Sequence, residues 1–367
     1  MDALILSCGT GGGHNSAGKA ILEELQKRGH HAVMVNPFTL RSDRLADAVD
    51  RTYITVAQSA PRAFGAIYSI GNGYRKLPFR SPVYFANGAM MSVMQEYLAK
   101  NPVDIIIMTH LFPAEIFTNM RKHGMKIPKT LFVATDYVCI PFTEETDCDA
   151  YIIPAADIAD DYINRGIPKK KLYPLGIPTN SKFSIVETRS EAKVRLGMNP
   201  DKKYILIAGG SMGGGEIEKV IKKLIHKLDM FQDTELIIVC GSNADLYEKL
   251  KNIDKVTVVG YTEDMETYMK AAHMFITKPG GLSSTEAAVC EIPILHTGAI
   301  PGCETYNAKY FSKHGMSIAC KSIDDIVDSI QNLLGNESAY NHMMEMQRKC
   351  INKNAAADIC DLAEKTI

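Results

Sequence analysis

The chain has 367 residues, of which 46% are hydrophobic, and a formal net charge of −1 at pH 7. This length and apolar fraction predict two domains, each with its own core, and the near-neutral charge argues against a protein that binds nucleic acid through bulk charge. Nine cysteines without a CxxC pair predict reduced thiols in a cytoplasmic protein, with no disulfide frame and no zinc site.

The first segment predicts a strand, a glycine-rich turn and a helix. Ala3–Cys8 has the pattern of a buried parallel strand, Ser16–Arg28 that of a helix, and residues 33–35 that of the next strand. The glycines between them imitate a dinucleotide-binding fingerprint, but His14 stands where its third glycine is expected. No acidic ribose ligand follows the second strand, so we do not expect a nicotinamide cofactor.

Residues 51–95 combine basic and aromatic side chains and contain no Asp or Glu. Basic groups attract anionic lipid and aromatic rings settle at the bilayer interface, so this composition predicts shallow docking on the cytoplasmic face of a membrane. The alternative is a set of ordinary buried helices with solvated arginines. Because we find neither a signal peptide nor an apolar run of ~18 residues, we expect peripheral association. The membrane or acceptor candidates are Arg62, Arg75, Lys76 and Arg80.

Two further buried strands end at polar residues. The first stops at His110 and the second at Thr135 and Asp136. The carboxyl ends of parallel strands face the ligand crevice in an open α/β sheet, so we expect His14, His110 and Asp136 to face one crevice. For His110, a structural role is the alternative.

Alternation of strands and helices is interrupted at 173–178 by a proline-punctuated segment, where we place a domain boundary. Residues 1–178 and 179–337 form the predicted domains, and 338–367 forms a C-terminal helix. Each half repeats the alternating series, which predicts an α/β protein with two doubly wound, Rossmann-like domains facing each other across a cleft.

Two motifs allow more than one interpretation. The GGSMG sequence at 209–213 matches the nucleophile elbow of serine hydrolases, but two Rossmann halves do not fit the single sheet of a hydrolase. We favour a phosphate-facing loop. Asp147 and Asp149 imitate a metal-binding DxD motif, but they precede a strand where the motif normally ends one, so we expect loop acids and no metal. The donor candidates in the glycine loop are Gly210, Ser211, Met212 and Gly213.

Residues 276–307 contain the largest group of candidate ligand-binding residues. A strand stops at Lys278, a proline and two glycines follow, and a helix is expected from Ser283, which puts Glu286 on its first turn. Glycines allow close backbone approach, and serine caps with free helix-start N–H groups favour an anion. We predict a diphosphate cradle in which Glu286 accepts hydrogen bonds from ribose hydroxyls. The donor candidates here are Lys278, Gly280, Gly281, Leu282, Ser283, Ser284, Glu286, Glu304 and Asn307.

Five motifs together resemble one family. KPGGLSSTEA with PGCETYN, GTGGGHNSAGKAI, ATDY at 134–137, LGIPTNSKF and GGSMGGG resemble the monogalactosyldiacylglycerol synthase and processive diacylglycerol glucosyltransferase family, relatives of MurG. The resemblance implies the GT-B fold, an acceptor site in the first domain, the nucleotide in the second, and a C-terminal helix packed on the first. Departures occur at Cys303, where Gln is usual, and at Cys139, Pro141 and Phe142, where the family carries His and Trp.

The resemblance also implies a reaction. It is transfer of the sugar of UDP-glucose or UDP-galactose to a lipid hydroxyl, with diacylglycerol as the expected acceptor, inversion at the anomeric carbon and no required metal. The family's catalytic histidine corresponds to His14, Asp136 is the expected assistant, and Gly13 beside His14 is a donor-binding candidate. Imidazole, with an unperturbed pKa of about 6.5, suits a general base. The alternatives are a UDP-sugar epimerase or hydrolase, and a non-catalytic UDP-sugar sensor at a membrane.

Overall fold

The computed structural model describes residues 1–9, 12–59, 73, 80–209 and 216–367. The chain divides into two compact α/β units. The first contains Met1–Asn180, Ile300–Cys303 and Asn352–Ile367, and the second contains Ser181–Ala299 and Glu304–Ile351.

The first unit is built on a parallel six-stranded sheet in the order β2-β1-β3-β4-β5-β6. Its strands are β1 Asp2–Leu6, β2 His31–Val35, β3 Ile105–Met108, β4 Lys129–Val133, β5 Ala150–Ile152 and β6 Leu172–Tyr173. Its helices are α1 Gly12–Lys27, α2 Asp43–Ser59, α3 Pro82–Gly88, α4 Met91–Lys100, α5 Leu111–Lys122, α6 Ala159–Asn164 and, at the end of the chain, α16 Ala355–Thr366.

The second unit has a parallel six-stranded sheet in the order β12-β11-β10-β7-β8-β9. Its strands are β7 Lys203–Ala208, β8 Thr234–Val239, β9 Val256–Val259, β10 Met274–Thr277, β11 Ile294–His296 and β12 Ile318–Ala319. The helices after the first unit are α7 Ser181–Ser184, α8 Arg189–Arg195, α9 Glu216–Ile225, α10 Ala244–Leu250, α11 Met265–Ala271, α12 Gly281–Val289, α13 Cys303–Lys313, α14 Ile323–Gly335 and α15 Glu337–Cys350. Short 3-10 turns lie at Pro37–Leu40, Thr143–Glu145, Ala156–Ile158, Lys169–Lys171 and Leu228–Met230.

Parallel pairing follows from the apolar runs in the sequence. Every side chain of Ile105–Met108 and Met274–Thr277 is buried, as expected for strands covered on both faces by helices. In each sheet the chain reverses its direction of strand addition beside the first strand of the unit, β1 or β7. Ligands of doubly wound sheets bind at the carboxyl edge of such switch points, so the loops after β1, β3, β4, β7 and β10 are the places to seek a site.

The predicted helix at 338–367 is two helices that belong to different units. α15 ends at Cys350 within the second unit, and α16 begins at Ala355 within the first unit, where it packs against α1. Asn352, in the break between them, donates its side-chain amide to Leu175 O at 2.8 Å and to Asp358 Oδ2 at 2.7 Å. The backbone is extended at Ile351, and these bonds fix the break between the two helices.

Across the described ranges, no helix combines the length and the apolar character that crossing a membrane requires. All nine cysteines are free thiols, and most are buried.

Candidate active site

His14 is the third residue of α1, and its ring is fixed by the ends of two strands. Its Nδ1 lies 2.7 Å from Thr109 O, after β3, and 3.0 Å from Thr135 Oγ1, after β4. The Thr109 hydroxyl in turn donates to His14 O at 3.0 Å. Thr109 is not among the residues predicted from the sequence, and Thr135 enters only as the neighbour of Asp136. Their common signal is a polar residue directly after a buried strand.

The hydrogen bonds of His14 decide which ring nitrogen is basic. A carbonyl oxygen only accepts, so Nδ1 carries the proton that goes to Thr109 O, and Nε2 keeps its lone pair. Burial lowers the pKa of His14, while the Asp136 charge and the Thr109 carbonyl act in the opposite direction. The imidazole is therefore neutral at pH 7, the state that a general base needs.

Asp136 lines the same small depression as His14, together with Thr109 and Thr135. The sequence predicts Asp136 as the assistant of His14. The orienting bonds described above come from the two threonines, and Asp136 acts on His14 through its negative charge. It therefore favours the imidazolium that forms when His14 accepts a proton.

His110 lies close to His14 but has a structural task. It is the N-cap of α5, and its Nδ1 accepts a hydrogen bond from Phe112 N at 3.1 Å. The buried ring meets the ring of His14 edge to face, with 4.6 Å between centroids, and packs on Phe112 at 4.5 Å. Burial holds the pKa of His110 well below its usual range, so an uncharged ring packs against His14.

In the second unit, the helix of the predicted diphosphate cradle begins two residues earlier than expected. α12 starts at Gly281, and Gly280 is its N-cap with extended backbone and no side-chain cap bond. The N–H groups of Gly281, Leu282 and Ser283 belong to the first turn, where an α-helix leaves its donors free of intrahelical partners. They can face an anion. Glu286 accordingly lies on the second turn of the helix.

Ser284 was predicted to contact the diphosphate, but its side chain is fully buried. Its hydroxyl lies 2.9 Å from Nε2 of His296, whose Nδ1 lies 3.0 Å from Ser317 Oγ. The donor-binding role of Ser284 stays a prediction, and in this structure a buried imidazole engages its hydroxyl. This pair links α12 to β11, and His296 has no sequence signal beyond its place at a strand end.

The loop before α12 is held by residues of α13. Lys278 Nζ pairs with Glu304 Oε1 at 3.2 Å, and Asn307 Nδ2 donates to Pro279 O at 3.1 Å. Asn307 is fully buried and positions the turn, and its contact with sugar or diphosphate stays a prediction. Glu304 is largely buried, and its carboxylate is engaged in this ion pair with Lys278.

Among the acidic residues near α12, Glu286 has the most strongly shifted pKa. Burial raises the pKa of Glu286 to about 8, and the Glu266 carboxylate on α11 adds to the rise. A carboxyl in such an environment lacks strong donors, and ribose hydroxyls would supply them.

The remaining predicted residues have varied outcomes. Asp149 accepts from Arg121 Nη2 at 2.6 Å, and Asp147 pairs with Lys171 at 2.7 Å, so the DxD acids are engaged in ion pairs. No group of three or more His, Cys, Asp or Glu side chains in the described ranges is arranged to hold a metal.

Gly13 lies in the first turn of α1. The predicted residues outside the described ranges are Arg62, Arg75, Lys76, Gly210, Ser211, Met212 and Gly213.

Comparison with known sequences covers both units. Residues 14–179 match the family of monogalactosyldiacylglycerol (MGDG) synthase, and residues 189–355 match glycosyl transferases group 1. The chain is 26% identical over 371 residues to the processive diacylglycerol beta-glucosyltransferase of Bacillus pumilus (strain SAFR-032), covering 99% of this chain and 94% of the relative. The protein of the same name from Staphylococcus carnosus (strain TM300) is 28% identical over 272 residues, 72% of this chain and 67% of the relative.

Solved structures share the fold. Acinetobacter baumannii MurG superposes with a TM-score of 0.64 at 16% identity over 99% of each chain. UDP-GlcNAc 2-epimerase from Neisseria meningitidis, bound to UDP-GlcNAc, superposes with a TM-score of 0.65 at 15% identity over 100% of each chain. The chain is a glycosyltransferase of the GT-B fold. The predicted fold class and family resemblance are confirmed.

The two family matches contain different groups of the candidate site residues. The MGDG synthase match begins at His14 and contains His110 and Asp136, and the group 1 match contains the cradle helix and Glu286. Each unit therefore carries its own group of candidate site residues.

Proposed function

We propose that this glycosyltransferase moves glucose or galactose from a UDP-sugar to the hydroxyl of a diacylglycerol-type membrane lipid, with inversion at the anomeric carbon. The relatives named as diacylglycerol glucosyltransferases support the substrate class. The observation that carries the chemistry is the ring of His14, neutral and held through Nδ1 with Nε2 basic. An alcohol needs such a base at neutral pH.

The proposed step is a single displacement. The lipid hydroxyl gives its proton to His14 Nε2 as its oxygen bonds to the anomeric carbon, and the bond from that carbon to the diphosphate oxygen breaks. UDP leaves with the electron pair. Asp136 stabilises the imidazolium through its charge, and Thr109 O keeps the Nδ1 proton in place.

In this proposal the leaving diphosphate is stabilised by the N–H groups at the start of α12. Aligned helix-start donors concentrate partial positive charge, which lowers the barrier most where negative charge develops. Asn307 and the Lys278–Glu304 pair hold the turn that aims these donors. The mechanism requires no metal.

A product assay tests the reaction. The protein is incubated with UDP-glucose or UDP-galactose and diacylglycerol vesicles, and lipids are identified by mass. We expect a hexosyl lipid that needs both substrates. Turnover of UDP-sugar without lipid would favour the hydrolase or epimerase alternative, and UDP-sugar binding without turnover would favour the sensor.

We also propose peripheral membrane association through the 51–95 stretch. Phe85 on α3 is 64% exposed, which supports contact with lipid. Arg80 supports it less, because its guanidinium donates to Glu145 O at 2.7 Å and lies 5.2 Å from the Tyr84 ring centre. Tyr84 itself is buried.

Replacing Arg75 and Lys76 by Ser should weaken binding to phosphatidylglycerol vesicles by about 1 kcal/mol per charge, because each basic group near an anionic surface contributes about that much. Vesicle sedimentation measures it, and added salt should act in the same direction. The control replaces Lys169 and Lys170, which are exposed elsewhere, and removes the same charge. Equal loss of vesicle binding in both variants, or no loss in either, would contradict membrane contact through the 51–95 stretch.

Two substitutions separate the cap and ring roles of His110. Asn is a good N-cap but lacks the ring, so His110→Asn should keep the stability of the protein. Loss of the ring should expose His14 to solvent and raise its pKa. It should also lower kcat about tenfold, because the His14 ring is then less well positioned. Phe keeps the ring without the cap, so His110→Phe should lose about 1 kcal/mol of stability and keep the pH profile. The pH dependence of kcat and thermal unfolding measure the two effects, and matching profiles in both variants would contradict the ring role.

A further inference from the structure

Gly9, in the turn after β1, leaves room for a carboxylate from another helix. Asp50 lies near the middle of α2. A Cβ placed on Gly9 would overlap Oδ2 of Asp50 and would lie 2.9 Å from its Cγ, closer than nonbonded carbon atoms pack. Gly9 does not have the positive φ that favours glycine. The lack of a side chain at Gly9 is therefore explained by the space that the Asp50 carboxylate occupies.

The Asp50 carboxylate also bonds to the backbone of this turn. The N–H of Gly9 donates to it. Hydrogen bonds from a backbone N–H to an ionised carboxylate are stronger than those between neutral groups. Asp50 therefore fixes the chain at the carboxyl end of β1, which is the switch point of the first sheet.

The other end of the same turn leads to His14. α1 begins at Gly12, and His14 is its third residue. The hydroxyl of Ser7 donates to Asn15 Oδ1 at 2.7 Å, which ties the end of the strand to the start of the helix. Residues 10 and 11, between the two anchors, lie outside the described ranges. Glycines impose little backbone preference of their own, so contacts from outside the turn determine its course.

Stability does not explain the placement of Asp50. Its Oδ1 is buried and has no hydrogen-bond partner among the described residues, which destabilises a fold. Burial raises the pKa of Asp50, the Gly9 N–H opposes this rise, and the Asp47 carboxylate one turn earlier adds to it. Side chains held in such unfavourable surroundings are concentrated at functional sites.

We infer that Asp50 is a positioning residue for His14, which holds the glycine turn so that the imidazole meets the acceptor hydroxyl. The inference rests on the proposed function for the role of His14. Asp50 acts through the backbone of Gly9 and is not placed in contact with substrate. Rates of proton transfer depend steeply on position, and a displacement of about 1 Å costs about 100-fold.

Two substitutions break the contact from opposite sides. Asp50→Ala removes the carboxylate, and Gly9→Ala displaces it, so each should lower kcat about tenfold. The double variant should be no slower than Asp50→Ala, because both changes remove the same contact. Asp50→Asn keeps an oxygen that can accept the Gly9 N–H and should restore most of the rate.

Binding and stability separate positioning from a structural role. UDP affinity should stay unchanged in all these variants, since the predicted cradle belongs to α12 in the other unit. Asp50→Ala should not lower the temperature of thermal unfolding, because it also removes the unsatisfied oxygen. The matched control is Asp47→Ala. Asp47 is exposed on the same helix and pairs with Arg51 at 3.8 Å, so the control removes the same charge and should keep kcat.

NMR of protein labelled with ¹⁵N-glycine and ¹⁵N-histidine follows the contact without turnover. The Gly9 amide signal is assigned by its loss in Gly9→Ala, and the His14 ring signals by their loss in His14→Ala. Both sets should shift in Asp50→Ala and stay in place in Asp47→Ala.

Several results would overturn the inference. They are His14 ring signals that do not shift in Asp50→Ala, a kcat indistinguishable from wild type in that variant, a double variant slower by the product of the single effects, and equal loss in Asp47→Ala. A wild-type protein that transfers no sugar would contradict the proposed function instead. The NMR shifts would then still decide whether Asp50 holds the turn before His14.

Discussion

Replacing His14 by Ala should lower kcat by about 10²–10⁴-fold, the usual effect of removing a general base. UDP affinity should stay near wild type, since the predicted cradle belongs to α12 in the other unit. Initial rates of glycolipid formation at saturating UDP-sugar, with calorimetry of UDP binding, measure both quantities.

His31→Ala is the matched control for this experiment, because His31 is an exposed histidine of the same unit that pairs with Asp2. It should leave kcat unchanged. The acid limb of the wild-type kcat profile should fall below pH 6.5, since burial lowers the pKa of His14 and the base is lost only when the ring is protonated. A His14→Ala enzyme within a few-fold of wild type would remove this histidine from the mechanism.

Replacing Glu286 by Ala should weaken UDP binding by about 1.5–3 kcal/mol, the range for a hydrogen bond to a charged group. This follows if the carboxylate accepts from the ribose hydroxyls, for which its burial beside Glu266 is the structural reason. Calorimetry at pH 8.5 measures the effect. Glu248→Gln, an exposed glutamate paired with Lys251, is the control and should bind UDP normally.

The same carboxyl makes UDP binding depend on pH. In the free protein the pKa of Glu286 is about 8, so the group is protonated at neutral pH. Ribose donors favour the ionised form, so binding releases a proton and affinity rises as pH increases towards 8, by up to about tenfold per unit. In Glu286→Gln this pH dependence of UDP affinity should be lost, and only the dependence caused by the ionisation of UDP itself should remain. Parallel slopes in the two proteins would contradict the ribose contact.

The order and type of the elements follow from the sequence, because hydrophobic periodicity is a local property. The strand predicted at Ala3–Cys8 is found at Asp2–Leu6, and the helix predicted at Ser16–Arg28 is found at Gly12–Lys27, so the type agrees and the ends differ by a few residues. The glycine-flanked histidine, the polar residues after buried strands and the KPGG turn are also local patterns. They suffice to indicate a two-domain glycosyltransferase.

Tertiary structure decided which hydrogen-bond partners these side chains have. Ser284 and Asn307 belong to the motif but are buried, because His296 and Pro279, 12 and 28 residues away, take their hydrogen bonds. His14 depends on Thr109, 95 residues away, for the tautomer that makes it a base. Residue type and spacing determine what chemistry a segment can perform. Whether a side chain performs it depends on partners that only folding brings within hydrogen-bonding distance.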